Sequence, residues 1–154
     1  IQRNAPVSIY DLPHTWNEWT RKVLCQVDEI VITATPDLAN LRNTKNLFDT
    51  LKKLRPNDHV PILVLNQVGM AKRPEIAPDV FCEPLGIEPV AIIGFDAQLF
   101  GDAANSGLMI AETSGKSPAA ESLSQLAHVV TGRAEVKKRK KAGLANLMSK
   151  LSRK

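Results

Sequence analysis

The sequence predicts an α/β fold, with a mostly parallel sheet that carries helices on both of its faces. Two observations support this prediction. Four short apolar runs, rich in β-branched residues and bounded by Asp, Asn, Pro or Gly, are typical of strands buried on both faces. Helical patterns fill the stretches between the runs, in the order that crossover connections between parallel strands require. The four predicted strands are residues 7–10, 30–33, 62–65 and 90–93.

The first two predicted helices cover residues 15–27 and residues 37–55. Each has one apolar stripe at helical spacing, which we expect to face the core. The second helix has a suitable N-cap in Asp37, and Pro56 stands just past its end. The two stripes consist of Trp16, Trp19, Val23 and Val27, and of Leu38, Leu41, Phe48, Leu51 and Leu54.

The second half of the chain contains further helical patterns. A short helix interrupted by proline is predicted over residues 74–85, and a last helix over residues 117–130, before Gly132. Residues 95–107, which follow the last strand, should form a loop or a short helix. We therefore expect one folded domain over residues 1–132.

The composition limits the classes of function. With 154 residues and 44% hydrophobic content, the chain is long enough for one packed core. Cys25 and Cys82 are far apart in apolar surroundings, so we interpret both as buried thiols and exclude a disulfide framework. His14, His59 and His128 are isolated and lack metal-ligand spacing. No apolar run reaches the roughly 18 residues of a membrane span, which predicts a cytoplasmic or peripheral protein.

The last 22 residues differ from the rest. Residues 133–154 contain nine basic residues and one acidic residue, whereas residues 1–132 have a net negative charge. Three interpretations remain open for this basic tail: a solvated or partner-binding terminus, a helix lying on an anionic membrane, and nonspecific binding to nucleic acid, which is the weakest of the three. The basic run is Lys137, Lys138, Arg139, Lys140 and Lys141, and the apolar stripe at i, i+3, i+4 and i+7 is Leu144, Leu147, Met148 and Leu151.

Polar residues follow several of the predicted strands. Asp11 comes directly after the first strand, and an acid at this place holds magnesium in many nucleotide hydrolases. Asn66 and Gln67 follow the third strand, and two amides there are able to contact the edge of a purine. Asn40 and Arg42, early in the second helix, are not explained by helix capping. Each motif also has a plain structural explanation as a turn or a cap.

Together and in this order, the motifs resemble the second half of the ParA/MinD ATPase superfamily, which has a P-loop NTPase fold. Within it they are most similar to the CpaE/TadZ proteins of Flp-type pilus assembly. The resemblance covers about residues 7–132. It rests on Asp11-Leu12-Pro13 with Trp16 and Trp19, on residues 34–43 (ATPDLANLRN), 65–70 (LNQVGM) and 72–75 (KRPE), and on Phe95-Asp96 and residues 104–107 (ANSG).

This resemblance implies an ATP-binding protein that helps to place or assemble a pilus secretion apparatus. It implies ATP and magnesium as cofactors of the full-length protein, a homodimer, and contacts with secretion proteins at the inner membrane. The site residues that it implies are Asp11 for magnesium, Asn66, Phe95 and Asp96 for adenine, and Asn40 and Arg42 for the dimer face.

The sequence also departs from the superfamily, because it contains neither a GxxxxGK[ST] phosphate loop nor the deviant form of that loop. We therefore expect no ATPase activity and no tight nucleotide binding by this chain alone, and we expect the loop in a preceding segment. In the superfamily the loop-bearing strand separates the Asp11 strand from the strand at residues 30–33, so these two should not pair. Two alternatives stay open: half of a DNA-partitioning ATPase, and an interaction scaffold that does not bind nucleotide.

Overall fold

Three parallel strands form the sheet in the computed structural model, which describes residues 7–133. They are β1 (Val31–Ala34), β2 (Ile62–Val68) and β3 (Ala91–Gly94), hydrogen-bonded in the order β1-β2-β3. Both pairings are parallel. The predicted α/β class is confirmed, and three of the four predicted strands are present with starts within one residue of the expected positions.

The predicted strand at residues 7–10 is wrong. Residues 7–10 have no regular structure, and Ile9 is 89% exposed. β1 pairs only with β2, so no described strand offers hydrogen bonds to this segment. A strand forms only when a neighbour satisfies its backbone groups, whereas water satisfies them in an isolated extended segment. The expectation that residues 7–10 would not pair directly with β1 agrees with this arrangement.

Helices occupy the connections. The helices are α1 (Glu18–Leu24), α2 (Leu38–Leu54), α3 (Pro78–Cys82), α4 (Ala97–Ser106), α5 (Ile110–Ser114) and α6 (Pro118–Val130). A 3₁₀ turn, Glu83–Leu85, continues α3. The sequence did not predict α5, because its five residues are too few to show a helical period. Within residues 7–133, no helix is long and apolar enough to cross a bilayer.

Strand β2 lies at the centre of the core and is buried on both faces. Leu63 and Leu65 point to one face, where they pack with Phe81 of α3. Ile62 and Val64 point to the other face and pack against α6. The continuous apolar run of β2 thus follows from its position between two layers of helices. Helices on both faces of the sheet were predicted, and the packing confirms them.

The predicted stripe of the first helix is wrong at its two tryptophans, although Val27 packs against the core as expected. Trp16 and Trp19 are 53% and 56% exposed, whereas Thr20 and Leu24 of α1 are buried. The helix begins only after the Asn17 N-cap, whose side chain accepts a hydrogen bond from the Thr20 backbone. This late start leaves α1 two turns long, and its buried pair has the i, i+4 spacing of one helix face.

Two further burial predictions are wrong. Leu38, the first residue of α2, is 72% exposed, while Phe48 and Leu51 of the same stripe are buried as predicted. Cys25 is exposed because it is the C-cap of α1, whereas Cys82 is buried against the sheet. The basic run and leucine stripe of the tail lie outside the described residues.

Arg55 ties the C-terminal ends of α1 and α2 together. Its guanidinium donates to the backbone oxygens of Leu24 at 2.8 Å and Asp28 at 3.3 Å, and only 10% of its side chain is exposed. Arg55→Ala should therefore lower the free energy of unfolding by about 1–3 kcal/mol, measured by urea denaturation. Lys52→Ala, on the exposed surface of the same helix, is the control and should change stability by less than about 0.5 kcal/mol. Equal effects of the two substitutions would contradict this role.

Candidate functional site

The carboxyl ends of the three strands lie at one edge of the sheet, because the strands are parallel. Asn66 lies near the end of the central strand, and Phe95 follows β3. The backbone N–H of Phe95 donates to the oxygen of Val68 at 2.8 Å, and that of Ile76 donates to Pro36 at 2.7 Å. The first bond joins the ends of β2 and β3, and the second joins the turn after β1 to the segment that precedes α3. The structure therefore brings Asn66 and Phe95 to the same edge, as the resemblance implies for an adenine site.

Asn66 has a fixed amide orientation. The backbone N–H of Gln67 donates to Asn66 Oδ1 at 2.8 Å. Only the oxygen of the amide accepts such a bond, so the Nδ2 group must occupy the other position. Asn66 is partly buried, and it presents a donor in Nδ2 together with the second lone pair of Oδ1. This is the pair of functions needed to read the edge of a base.

Gln67, whose N–H makes this bond to Asn66, has an unusual backbone conformation. Its φ is 55°, in the left-handed region that residues other than glycine rarely adopt. The pairing of β2 with β3 shifts register between Leu65 and Val68, which marks a β-bulge at Asn66 and Gln67. Bulges of this kind re-aim side chains at sheet ends, and left-handed residues are often found at functional sites.

Residues 67–75 form a closed loop after this bulge; part of it carries the resemblance, but no site role was predicted for it. The Glu75 carboxylate accepts hydrogen bonds from the N–H groups of Gly69, at 2.9 and 3.1 Å, and of Met70, at 3.1 Å. Arg73 donates to Glu75 at 2.8 Å, to Gln67 Oε1 at 3.0 Å, and to the backbone oxygen of Gln67. The Gly69 amide and the Arg73 guanidinium hold the pKa of Glu75 below its ordinary value.

A second polar network lies at the end of β1. Asp37 is the N-cap of α2 and accepts from the Asn40 backbone at 2.9 Å and from the Thr35 hydroxyl at 2.6 Å. The Asn40 side chain donates to Thr35 Oγ1 and to Asp37 Oδ2, both at 2.8 Å. The Asn40 side chain thus takes part in the cap of α2, so the interpretation that capping does not explain Asn40 was wrong. Arg42 lies exposed on α2.

This network predicts a pH dependence. The Thr35 hydroxyl and the Asn40 amides hold the pKa of Asp37 below its ordinary value of 3.8. The stabilisation is therefore complete above that value and is lost as the pH falls through the lower pKa of the folded state. Asp37→Ala should cost about 1–2 kcal/mol at neutral pH. Asp37→Asn keeps a capping oxygen, so it should cost less and should remove this acid-dependent loss. Equal urea midpoints for wild type and Asp37→Ala would contradict the assignment.

Phe95 and Asp96 form the loop between β3 and α4. Phe95 is 42% exposed, so its ring is available for stacking against a planar ligand. Asp96 is the N-cap of α4 and accepts from the Leu99 backbone at 2.9 Å, which leaves its second oxygen for other contacts. Helix α4 ends at Gly107, whose φ of 66° makes a left-handed C-cap. The predicted loop or short helix is thus a helix of ten residues.

The magnesium assignment gains no support from the geometry. Asp11 is exposed and does not end a strand, because residues 7–10 form none. Among residues 7–133, no group of three or more His, Cys, Asp or Glu side chains is arranged to hold a metal ion. A single exposed carboxylate does not make a magnesium site without phosphate oxygens or further ligands. The described residues therefore assemble no magnesium site around Asp11.

Comparison with known proteins identifies the fold. No protein-family model and no curated protein sequence matches the chain. Solved structures do match. MinD from Pyrococcus furiosus aligns with 80% of this chain and 51% of its own, at 20% identity and a TM-score of 0.67. MinD from Pyrococcus horikoshii, solved with Mg-ADP, aligns with 78% of this chain and 48% of its own, at 20% identity and a TM-score of 0.65.

A ParA family ATPase from Chlorobium tepidum is similar as well. It aligns with 73% of this chain and 46% of its own length, at 22% identity and a TM-score of 0.58. The chain thus spans about half the length of the solved proteins that it matches. The described residues have the parallel α/β fold found in the ParA and MinD ATPases, over about half of that fold.

Proposed function

We propose that this chain forms the base-binding half of a ParA/MinD-type ATP-binding domain, in a protein that assembles or places a pilus secretion apparatus. The single observation that supports the binding role best is the fixed Asn66 amide at the carboxyl end of the central strand, with the exposed Phe95 ring at the same edge. The fold supports it too, since a MinD protein of this fold was solved with Mg-ADP.

The chemistry of the site suits adenine. Asn66 Nδ2 donates to a ring nitrogen of the base, and the remaining lone pair of Oδ1 accepts from the 6-amino group. Phe95 covers one face of the ring, and Asp96 holds this loop in place by capping α4. Nothing in the sequence supplies a glycine-rich loop for the phosphates. Affinity in this chain therefore comes from the base, and we expect it to be in the millimolar range.

The assembly role rests on the sequence motifs that resemble CpaE/TadZ proteins. In this role the protein is a cytoplasmic homodimer that is peripheral at the inner membrane and contacts secretion proteins. Asn40 is engaged in the cap of α2, so Arg42, exposed on the next part of that helix, is the better candidate for a contact across the dimer. Asp11 would meet magnesium only when bound phosphates supply further ligands.

A titration of the chain with adenosine tests the binding role. Nuclear magnetic resonance should show shifts at Asn66, Gln67 and Phe95, with a dissociation constant in the millimolar range. Asn66→Ala removes both hydrogen bonds to the base, so it should weaken binding by about tenfold or more. Gln125→Ala, an exposed amide on α6, is the matched control and should leave binding unchanged. Shifts that are absent from the strand ends, or that persist fully in Asn66→Ala, would overturn the proposal.

A further inference from the structure

A short chain of hydrogen bonds connects Arg73 and Glu75 to the Asn66 amide. The Arg73 guanidinium donates hydrogen bonds to two oxygens of Gln67, the side-chain Oε1 at 3.0 Å and the backbone oxygen. Gln67 in turn donates its N–H to Asn66 Oδ1 at 2.8 Å. Through these two oxygens, Arg73 therefore holds the residue whose N–H bonds the Asn66 amide.

Glu75 holds Arg73 in this position. One carboxylate closes the loop by accepting from two successive backbone N–H groups, Gly69 and Met70, and from Arg73 at 2.8 Å. About a fifth of each of the two charged side chains is exposed, which is less than for a typical surface ion pair. The planar guanidinium of Arg73 donates to three acceptors at once, two on Gln67 and one on Glu75. A lysine cannot reproduce this geometry.

Two features show that the loop is not optimised for its own stability. Gln67 and Lys72 both have left-handed backbones, with φ of 55° and 65°. Arg73 Nε is buried and has no hydrogen-bond partner in the described part of the chain. Strained residues and unsatisfied polar atoms persist where the surrounding structure enforces them, and they concentrate at functional sites. Here both lie within seven residues of Asn66.

We propose that Arg73 and Glu75 are positioning residues that determine base specificity, because they hold in place Gln67, whose N–H bonds Asn66 Oδ1. This inference rests on the proposed function, since it concerns the same site. Without this clamp of hydrogen bonds, Gln67 moves with its loop, its N–H leaves hydrogen-bond distance of Asn66 Oδ1, and the Asn66 amide loses the bond that orients it. A rotating amide pairs equally well with either hydrogen-bonding pattern of a purine, so discrimination between purines is lost while stacking on Phe95 remains.

Adenosine and inosine make the sharpest pair of probes. Inosine replaces the 6-amino donor with a carbonyl and the N1 acceptor with an N–H, so it reverses the pattern that Asn66 reads. The experiment uses the ratio of the inosine to the adenosine dissociation constant, measured by nuclear magnetic resonance on the whole chain. This ratio reports the orientation of the Asn66 amide. It is insensitive to the fraction of folded protein. We expect a ratio of about ten in the wild type, equivalent to about one hydrogen bond.

In Arg73→Ala and Arg73→Lys the ratio should fall to between about one and three. Glu75→Gln, which keeps an accepting oxygen but loses its charge, should give an intermediate ratio. The matched control is Lys45→Ala, which breaks an ion pair with Asp49 on the surface of α2 and should leave the ratio at the wild-type value. A second measurement needs no ligand: the Gln67 backbone N–H signal, which reports the bond to Asn66 Oδ1, should move toward the position of an unbonded amide in Arg73→Lys.

The outcomes separate the two claims. A wild-type ratio that persists in Arg73→Lys and Glu75→Gln, with an unmoved Gln67 N–H signal, overturns the positioning role and leaves the base site intact. Absence of adenosine shifts in the wild type overturns the proposed function and the positioning role with it. If Arg73→Ala does not fold, Arg73→Lys and Glu75→Gln test the positioning role instead, because both retain polar groups in the loop.

Discussion

Replacing Phe81 with Ala is expected to lower the free energy of unfolding by about 3–5 kcal/mol. Phe81 is fully buried, and it packs from α3 onto Leu63 and Leu65 of the central strand. Its removal costs the transfer free energy of the ring and leaves a cavity that a five-residue helix cannot fill by shifting alone. Urea denaturation followed by circular dichroism measures the change.

The same short helix offers a matched control. Val80 precedes Phe81 and is 51% exposed, so Val80→Ala should change stability by less than about 0.5 kcal/mol. Equal losses for the two variants would show that α3 does not pack on the sheet as described. The result also concerns the site, because α3 follows the loop at residues 67–75 and anchors its distal end.

Replacing both Leu147 and Leu151 with Glu should abolish binding of the chain to anionic liposomes, if the tail inserts as an amphipathic helix. Each buried leucine contributes about 1.5–3 kcal/mol, so the loss should amount to about 100-fold or more. The basic run remains in this variant and still attracts the surface, at about 1 kcal/mol for each basic residue. The double substitution therefore separates insertion from charge attraction in a co-sedimentation assay.

The tail contains its own control for added charge. Ser149→Glu with Ser152→Glu introduces the same two negative charges but leaves the leucine stripe intact. This variant should retain most of the binding at moderate salt. If the parent chain does not co-sediment, or if the leucine variant binds as well as the serine variant, the tail is a solvated or partner-binding terminus instead. A strong salt dependence on DNA without liposome binding would favour the nucleic-acid interpretation.

A strand was predictable from the sequence where an apolar run also has a neighbouring strand to pair with. The run from Ile62 to Leu65 is apolar on both faces, and the structure places helices on both sides of it. Residues 7–10 have a similar local pattern but no neighbouring strand in the described chain, so the same residue types stay extended and exposed. Strand formation depends on non-local hydrogen bonds, which a local pattern does not contain.

The site was predictable only in part, for a related reason. The resemblance to the ParA/MinD superfamily pointed to Asn66 and Phe95, and the structure places both near the carboxyl ends of the strands. The clamp was not predictable, because it depends on the left-handed backbone of Gln67 and on the closure of a loop by Glu75. The stripe of Trp16 and Trp19 failed because Trp16 precedes the Asn17 cap and lies outside the helix, and because α1 buries the neighbouring face that carries Thr20 and Leu24.

The central claim is that this chain supplies contacts to the base and lacks contacts to the phosphates. The most direct measurement compares adenosine and ATP as ligands of the same chain by calorimetry and nuclear magnetic resonance, with inorganic triphosphate as a control for the basic tail. We predict that the two dissociation constants agree within about threefold at physiological salt, that both are weak, and that no ATP is hydrolysed. Binding of ATP in the micromolar range, about 100-fold tighter than adenosine, would contradict the account.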